Sequence, residues 1–319
     1  MQGQNSPERS AQGVYVGVDV CKDWLDVYLH PLGQAFRVSN APEGLKALKR
    51  RIGAVRVELI VMEATGKFHR QAHRTLHAAG FAVAVVNPLR ARLFAEAVGQ
   101  LAKTDRLDAR VLALMGQTLE PSALAPAPEA LEALQELARA RAAAIADQTA
   151  LSNQRGASQT AFLRAKLGRR LKTLAGHIER LDAEIEHRIG ADLTLKRRYE
   201  ILLSIPGVGP VAAVALVVGL PELGACSATL LAGLAPLACN SGEKAGERHI
   251  KGGRAFVRTG IYFAALAAAR FNPQLSDDYN RLRNAGNKAK VAITAIMRKL
   301  VVLANVLIKE DRPWKPILA

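Results

Sequence analysis

The chain has 319 residues, 50% of them hydrophobic, and its 44 Lys and Arg residues outnumber 28 Asp and Glu residues to give a formal net charge of +16. This length and apolar content exclude a disordered polymer and predict two or three globular units. So positive a charge predicts a polyanionic partner, either nucleic acid or an acidic membrane surface. Residues 240–319 alone hold 15 basic and 6 acidic residues. The polyanion is therefore expected to contact the C-terminal part most densely.

Cysteine usage and apolar runs indicate the compartment. Cys21, Cys226 and Cys239 stand apart in the sequence, which fits neither a disulfide framework nor the paired ligands of a zinc site. A reducing cytosol is the expected compartment. The first 13 residues contain no apolar run and predict a disordered tail. The apolar run 211–220 is shorter than the roughly 20 residues of a membrane span, so nucleic acid is the expected polyanion and no membrane partner is predicted.

The first third of the chain alternates short β-rich runs with amphipathic segments. Two runs separated by Cys-Lys-Asp predict a hairpin, a third strand follows, and two later apolar runs suit buried parallel strands. These runs are residues 14–20, 24–29, 35–40, 57–63 and 81–88. With the helical segments between them, the order is βββαβαβα. Such alternation predicts an α/β domain with a mixed sheet over residues 14–126.

Prolines mark the end of this region. The stretch "EPSALAPAPEA" from Glu120 breaks any helix and predicts a linker. Beyond it the chain is helical in character to Tyr199, with apolar residues at spacings of 4, 3, 4, 3 and 4. These residues are Leu167, Leu171, Leu174, Ile178, Leu181 and Ile185. Such a heptad seam predicts a coiled-coil hairpin or dimerisation arm over residues 127–199, with a long amphipathic helix on a local core as the alternative.

Glycine-punctuated helices predict an all-α domain over residues 200–319. Its first segment, "LLSIPGVGPVAAVAL", has the pattern of a helix-hairpin-helix. In that motif Gly207 and Gly209 let a tight turn aim backbone N–H groups at a phosphate. Such a turn binds the nucleic-acid backbone without reading its sequence. An ordinary turn between two helices is the alternative, and the basic segment that follows favours phosphate binding.

Four carboxylates are candidates for one site. Alternation along the first strand lets Asp19 project from the sheet near the end of that strand. Glu63 closes a later apolar strand and precedes a turn. Asp105 and Asp108 share a helix face through their i,i+3 spacing. We expect the four side chains to converge at the carboxyl edge of the sheet.

Convergence of like charges is costly unless a cation cancels them. Mg²⁺ prefers hard oxygen ligands, and two such ions can clamp the attacking and leaving oxygens in phosphodiester cleavage. The sequence therefore predicts a Mg²⁺ site. The alternative for the two helical acids is pairing with Arg106 and Arg110 on a solvated helix. Asp23, in a turn, and Asp26, in a second strand where it can face outward, rank below the four.

A second group of candidates lies in a glycine-rich basic loop. Ser241 precedes Gly242, and a serine beside a glycine is most often part of a turn. Basic residues around it would neutralise a scissile phosphate, which makes a covalent phosphoserine intermediate chemically reasonable. These residues are Lys244, Arg248, Lys251, Arg254 and Arg258. His249 and the carboxylates are candidate activators of the hydroxyl. Tyr262 is a rival nucleophile, although its apolar helix is more typical of a core tyrosine.

Several blocks of the sequence, in the same order, resemble the bacterial insertion-sequence transposases of the IS110 family, which are DEDD transposases related to the Piv-type DNA invertases. The resemblance extends from Val14 to about Trp314. It is carried by "GVDVCKDWLDVYL", "MEATGKFHR", "NPLRARLFAEAVGQLAKTDRLDARVLA", "IPGVGPVAA", "LAPLACNSGEKAGERHIKGGRAFVR", "FNPQLSDDYNRL" and "VAITAIMRKLVVLAN".

The resemblance implies a RuvC-like N-terminal domain with an RNase H-like fold, whose Mg²⁺-binding DEDD set maps onto Asp19, Glu63, Asp105 and Asp108. It also implies a coiled-coil segment and a C-terminal transposase domain whose nucleophilic serine maps onto Ser241. In the family the active site is thought to join the first domain of one protomer to the serine domain of another, and a bridge RNA pairs with donor and target DNA. A dimer or tetramer in the bacterial cytoplasm, on the nucleoid when bound, is implied.

The leading hypothesis is a DNA recombinase that cuts and rejoins strands through Mg²⁺ and a covalent link to Ser241. A guide RNA would choose the sequence, because the chain has no zinc-finger or aromatic RNA-binding signature. One alternative is a junction-resolving nuclease in which metal-activated water attacks and no adduct forms. The other is a non-catalytic nucleic-acid-binding protein whose acids are ordinary surface.

Overall fold

The computed structural model describes residues 13–64, 66–100, 105–225, 234, 236–237, 240–241, 244–245, 249–250 and 254–316, with the backbone alone for 105–107, 236–237, 240–241, 244–245, 249 and 255. The chain divides into two compact units, unit 1 (residues 1–127) and unit 2 (residues 128–319). The tail predicted over residues 1–13 lies, except for Gly13, outside the described residues. The predicted boundary at residue 200 stays a prediction.

Unit 1 is built on a five-stranded mixed sheet. Its strands are β1 (Val14–Val20), β2 (Trp24–His30), β3 (Gln34–Ser39), β4 (Val57–Glu63) and β5 (Val83–Val86). Their order across the sheet is β3-β2-β1-β4-β5. The β1–β2 and β2–β3 pairs are antiparallel, whereas β4 runs parallel to both β1 and β5. The predicted hairpin and buried parallel strands are confirmed, and the arrangement is compatible with an RNase H-like fold.

Helices cover both faces of this sheet. They are α1 (Pro42–Ile52), α2 (His69–Ala78), α3 (Pro88–Ala97) and α4 (Asp105–Leu119). Alternation divides each central strand between two cores. Val16 and Val18 of β1 belong to the core under α1 and α2, whereas Val61 of β4 belongs to the core under α3 and α4. The sequence predicts one helix after β5, and the structure has two, α3 and α4.

Unit 2 is mainly helical. The helices among its described residues are α5 (Glu129–Ala157), α6 (Ala161–Ala191), α7 (Leu193–Leu203), α8 (Pro210–Gly219), α9 (Ala255–Phe271), α10 (Pro273–Asn284) and α11 (Ala289–Lys309). Between α8 and α9 the structure describes short strands of two residues each: β6 (Pro236–Leu237), β7 (Asn240–Ser241), β8 (Lys244–Ala245) and β9 (His249–Ile250). The expectation of an all-α domain is therefore wrong for this segment, because runs of two residues are too short to show the alternation that predicts a strand.

Helices α5 and α6 form an antiparallel hairpin. Arg141 donates hydrogen bonds to both carboxylate oxygens of Asp182, and Ala144 packs with Ile178. Contacts therefore move forward along α5 as they move backward along α6, as two antiparallel helices require. The predicted apolar seam on α6 lies at this contact, with Leu167, Ile178, Leu181 and Ile185 buried. The apolar residues of α6 therefore pack against α5 of the same chain.

Helix α11 forms the centre of the unit 2 core. It is the one described helix long and apolar enough to cross a membrane by length and composition. Ile296 and Leu300 are fully buried in the unit 2 core, whereas Lys290, Arg298 and Lys299 are exposed. This burial identifies α11 as a core helix. The sequence prediction had considered only the shorter run in α8.

The close approach of α4 to β1 at Gly17 is testable by adding one methyl group. A Cβ on Gly17 would lie 1.9 Å from the carbonyl oxygen of Ala109 and 2.5 Å from the amide nitrogen of Ala113. Backbone atoms cannot yield as a side chain can, so Gly17→Ala should destabilise unit 1 by about 3 kcal/mol. Urea unfolding monitored through Trp24, in a Trp314→Phe background, measures this.

The matched control is Gly156→Ala on α5, where an added Cβ would meet nothing within 4 Å. Position 156 lies in unit 2, so this variant should leave the Trp24 unfolding transition of unit 1 unchanged, while the gain in helix propensity, up to about 1 kcal/mol, should stabilise unit 2 or leave it unchanged, as circular dichroism measures. Identical Trp24 transitions in Gly17→Ala and Gly156→Ala would contradict the described packing of α4 on β1.

Candidate active site

Two of the predicted carboxylates end neighbouring strands. Gly17 of β1 and Val61 of β4 are register partners, and Asp19 and Glu63 each follow two residues later. Both partners face α4: Gly17 lies against the backbone of Ala109, and Val61 belongs to the core beneath that helix. Since residues two apart share a face of a sheet, Asp19 and Glu63 project on the α4 side. The structure thus brings these two predicted residues to one edge and one face.

Helix α4 brings the other two acids toward this edge. Gly116 lies against Tyr15 and Ala109 against Gly17, so the N-terminal end of α4 points toward the end of β1 where Asp19 lies. Asp105 begins α4 one turn before Ala109, a helical advance of about 6 Å, and β1 advances about 7 Å from Gly17 to Asp19. The first turn of α4 therefore lies beside the edge of the sheet at which β1 and β4 end.

The metal site itself stays a prediction. The described side chains contain no group of three or more His, Cys, Asp or Glu residues that could hold a metal ion. The side chain of Asp105 lies outside the described residues, and Asp108 is half-buried. Four carboxylates are hard oxygen donors of the kind that Mg²⁺ prefers. The donor set fits the ion chemically, and the backbone directs all four positions to one region.

A fifth carboxylate lies in the same row, and the prediction that it can face outward is wrong. Asp26 is directly opposite Asp19 on β2, so the two share the α4 face, and Asp26 is only 4% exposed. Arg37 of β3 donates to both of its oxygens, at 2.9 Å through Nε and 2.7 Å through Nη2. The bidentate pair compensates a buried charge beside Asp19. Strand alternation would assign Asp26 to the same face of the sheet as Asp19 once the register of the β1–β2 hairpin is known.

Asn40 is a further residue that sequence reasoning missed. Its side-chain amide donates to the carbonyl oxygen of Cys21, at 2.9 Å, and to that of Phe68, at 3.1 Å. Cys21 follows the end of β1, and Phe68 lies in the connection after β4. Asn40 therefore ties together the two loops that leave the strands of Asp19 and Glu63. The sequence carries no signal for this role beyond an Asn at the end of a strand.

Ser241 lies on a short strand of unit 2. It pairs antiparallel with Lys244 of β8. The strands that precede and follow this pair in the sequence, β6 and β9, pair with each other in the same antiparallel way. The side chains of Ser241 and Lys244 are not described, and Arg248 and Lys251 lie outside the described residues. The rival nucleophile Tyr262 is partly buried against the unit 2 core. This packing is that of the core tyrosine predicted from its apolar helix.

Two predicted phosphate-binding arginines flank the end of this segment. Arg254 donates to both carboxylate oxygens of Glu222, at 2.8 and 2.5 Å, and to the carbonyl oxygen of Gly219. Burial acts to raise the pKa of Glu222, but hydrogen bonding and the positive charges of Arg254 and Arg198 outweigh it and lower that pKa. Arg254 thus joins the two ends of the segment that carries Ser241. Arg258 lies one turn further along α9 and is half-buried.

The two predicted phosphate-binding glycines differ in their surroundings. Gly207 has a φ of +97°, and a Cβ there would lie 2.4 Å from the backbone nitrogen of Ala268. Its lack of a side chain is therefore required by packing on α9. Gly209 is exposed, has open space around it and is the N-cap of α8. The N-terminus of α8 is thus accessible, and phosphate binding there stays a prediction.

Comparison with known proteins identifies the family of the chain. A model described as "Transposase", the DEDD transposase domain, matches residues 16–157, and a model described as "Transposase IS116/IS110/IS902 family" matches residues 199–280. The chain belongs to the IS110 transposase family. The first match contains β1, β4 and α4, and the second contains Ser241. The protein is accordingly an enzyme of the DNA transposase and recombinase class.

Two curated relatives of this transposase extend over nearly its whole length. They are the pilin gene-inverting proteins of Moraxella bovis and Moraxella lacunata. Each is 26% identical over 314 residues, which cover 94% of this chain and 97% of the relative. The similarity therefore includes both units, in the same order along the chain, and the relatives are named for inverting a gene.

The pair beside Asp19 yields a stability prediction. Arg37→Leu leaves Asp26 buried without its bidentate partner, so unit 1 of the transposase should lose about 2–4 kcal/mol. The double variant Asp26→Leu/Arg37→Leu should recover most of this loss, because no buried charge remains. Urea unfolding with Trp24 as reporter measures both.

An ion pair in the same unit serves as the control. Arg56 pairs with Glu58 at 2.9 Å, but the Arg56 side chain is 75% exposed. Arg56→Leu should change stability by less than about 1 kcal/mol. If the Arg37 and Arg56 variants lost equal stability, the buried pair would have no special role.

Proposed function

We propose that the protein is a DNA recombinase that cuts and rejoins strands with Mg²⁺ held by Asp19, Glu63, Asp105 and Asp108 and with Ser241 as a covalent nucleophile. The observation that carries the proposal is the approach of α4 to β1, which directs two sheet-edge acids and the first turn of a helix to one region. The order of the two matched family domains and the resemblance of the motifs support it.

The covalent step exchanges one phosphoester bond for another. The Ser241 hydroxyl attacks the scissile phosphorus, forms an O–P bond and gives up its proton, while the bond to the leaving sugar oxygen breaks and that oxygen gains a proton. A sugar hydroxyl of the recombining strand then attacks the phosphoserine and releases the serine. A bound Mg²⁺ would neutralise phosphate charge and stabilise the leaving oxygen. Such a two-step exchange rejoins strands without an external energy source.

The remaining features of the proposal rest on the family resemblance. They are a bridge RNA that selects donor and target DNA, a homo-oligomer with a composite active site, and action on bacterial nucleoid DNA in the cytoplasm. We interpret unit 1 as RuvC-like, the α5–α6 hairpin as the coiled-coil arm, and α7 and α8 as a helix-hairpin-helix. The relatives are named for inverting a gene, which agrees with the cutting and rejoining of DNA proposed for this protein.

The chemistry is tested by trapping DNA on the protein. Ser241→Ala should abolish the adduct and Asp108→Asn should reduce cleavage at least about 10³-fold while DNA binding is retained, because each removes a group needed only for chemistry. Gel shift of the denatured adduct and cleavage of a labelled substrate measure the two effects.

Two matched variants serve as controls. Tyr262→Phe removes the rival nucleophile, and Asp23→Asn removes an exposed acid in the turn after Asp19. Both should keep the adduct and the cleavage. An adduct that persists in Ser241→Ala would reject the nucleophile, and cleavage without any adduct in the unchanged protein would favour the junction-resolving nuclease.

A further inference from the structure

The α5–α6 hairpin is electrically polarised along its length. Its distal part, residues 148–178, contains six basic and no acidic residues. The six are Arg155, Arg164, Lys166, Arg169, Arg170 and Lys172, and all are exposed. The proximal parts, residues 129–147 and 179–191, contain eight acidic and four basic residues. We call residues 148–178 the basic tip, since the positive charge of the hairpin is concentrated there.

The basic tip extends away from the unit 2 core. The hairpin packs on α8 at its proximal end, where Leu134 and Ile189 meet Val218. The next buried cluster along it, which contains Ala144 and Ile178, precedes the tip. From Ala144, α5 continues to Ala157, about 20 Å at 1.5 Å per residue. Contacts with the rest of unit 2 therefore do not explain the charge of the tip.

Folding does not neutralise these cations. Across the residues that the structure describes, none of the six basic side chains of the tip forms an ion pair with an acid. Arg164 donates to the carbonyl oxygen of Ser158, at 2.7 Å, which tightens the turn between the helices. Phe162 is 69% exposed, and the Lys166 ammonium lies 5.5 Å from the centre of its ring. Six mutually repelling charges therefore remain available to an external polyanion.

We propose that the basic tip binds the sugar-phosphate backbone of a nucleic-acid duplex, through residues other than the carboxylates and Ser241. Two helices side by side are roughly 20 Å wide, whereas the major groove of DNA is about 12 Å wide, so the tip lies across phosphates and does not enter a groove. Residues 164–172 extend over about 12 Å, which matches roughly three to four phosphate steps of one strand at about 3.4 Å of helix axis each. The contact is therefore independent of base sequence.

The test compares two doubly substituted full-length proteins. Arg169→Ala/Arg170→Ala removes two tip cations, and Arg139→Ala/Arg180→Ala removes two equally exposed arginines from the acidic proximal part. Affinity is measured against salt for a DNA duplex and an RNA duplex of equal length and unrelated sequence. The tip variant should bind on the order of tenfold more weakly at physiological salt, and the slope of log affinity against log salt should fall by about two. The control variant should match the unchanged protein.

The two duplexes identify which backbone the tip contacts. A loss confined to DNA assigns the tip to donor or target DNA, a loss confined to RNA assigns it to a guide, and equal losses assign it to both. Unchanged slopes for both duplexes, or equal losses in the control variant, would overturn the proposal. Asp19→Asn is assayed in parallel: normal cleavage by that variant would reject the carboxylate site while leaving the result for the tip intact.

Discussion

The close approach of α4 to β1 is the contact on which the candidate active site depends. Gly17 has no side chain, so the backbone of the helix at Ala109 and Ala113 lies directly on the strand. A larger residue would lift α4 off the sheet and move its first turn away from Asp19. The same contact covers Val61 and closes the core on that side. The position of α4 on the sheet, and with it the place where its first turn lies, thus depends on one glycine.

The support around this edge comes from β3 and the residue that follows it, although no residue of β3 is fully buried. Arg37 compensates the buried Asp26, and Asn40 joins the loops that follow β1 and β4. A strand at the edge of the sheet therefore stabilises the ends of two central strands. The hydrogen bonds of Asn40 therefore fix the loops that follow β1 and β4, the two strands that end at Asp19 and Glu63.

Strand alternation predicted the sheet and the direction of Asp19 because β1 has a regular pattern of apolar residues. The same reasoning missed Asp26, whose surroundings depend on register between strands and on the position of α4, neither of which is local in sequence. Asn40 was missed for the same reason, since its partners Cys21 and Phe68 are distant along the chain. The strands around Ser241 were missed because two residues carry no periodic signal.

The net charge of a long segment located one basic region of the chain and concealed another. The excess of basic residues after Asn240 drew attention to the C-terminal part, whereas the hairpin as a whole is nearly balanced. In the folded hairpin the opposite charges are separated, because the antiparallel arrangement places the acidic residues at the proximal end and the basic residues at the tip. Exposed positive charge therefore lies on an arm that reaches beyond the unit 2 core, in addition to the basic excess in the sequence from Asn240 onward.

The central claim, that residues from β1, β4 and α4 form one divalent-cation site, is tested most directly by counting bound Mn²⁺ by electron paramagnetic resonance in the unchanged protein, Asp105→Asn and Asp23→Asn. The account predicts saturable binding that Asp105→Asn weakens at least about tenfold and that Asp23→Asn leaves intact. Equal Mn²⁺ binding by all three proteins would contradict it.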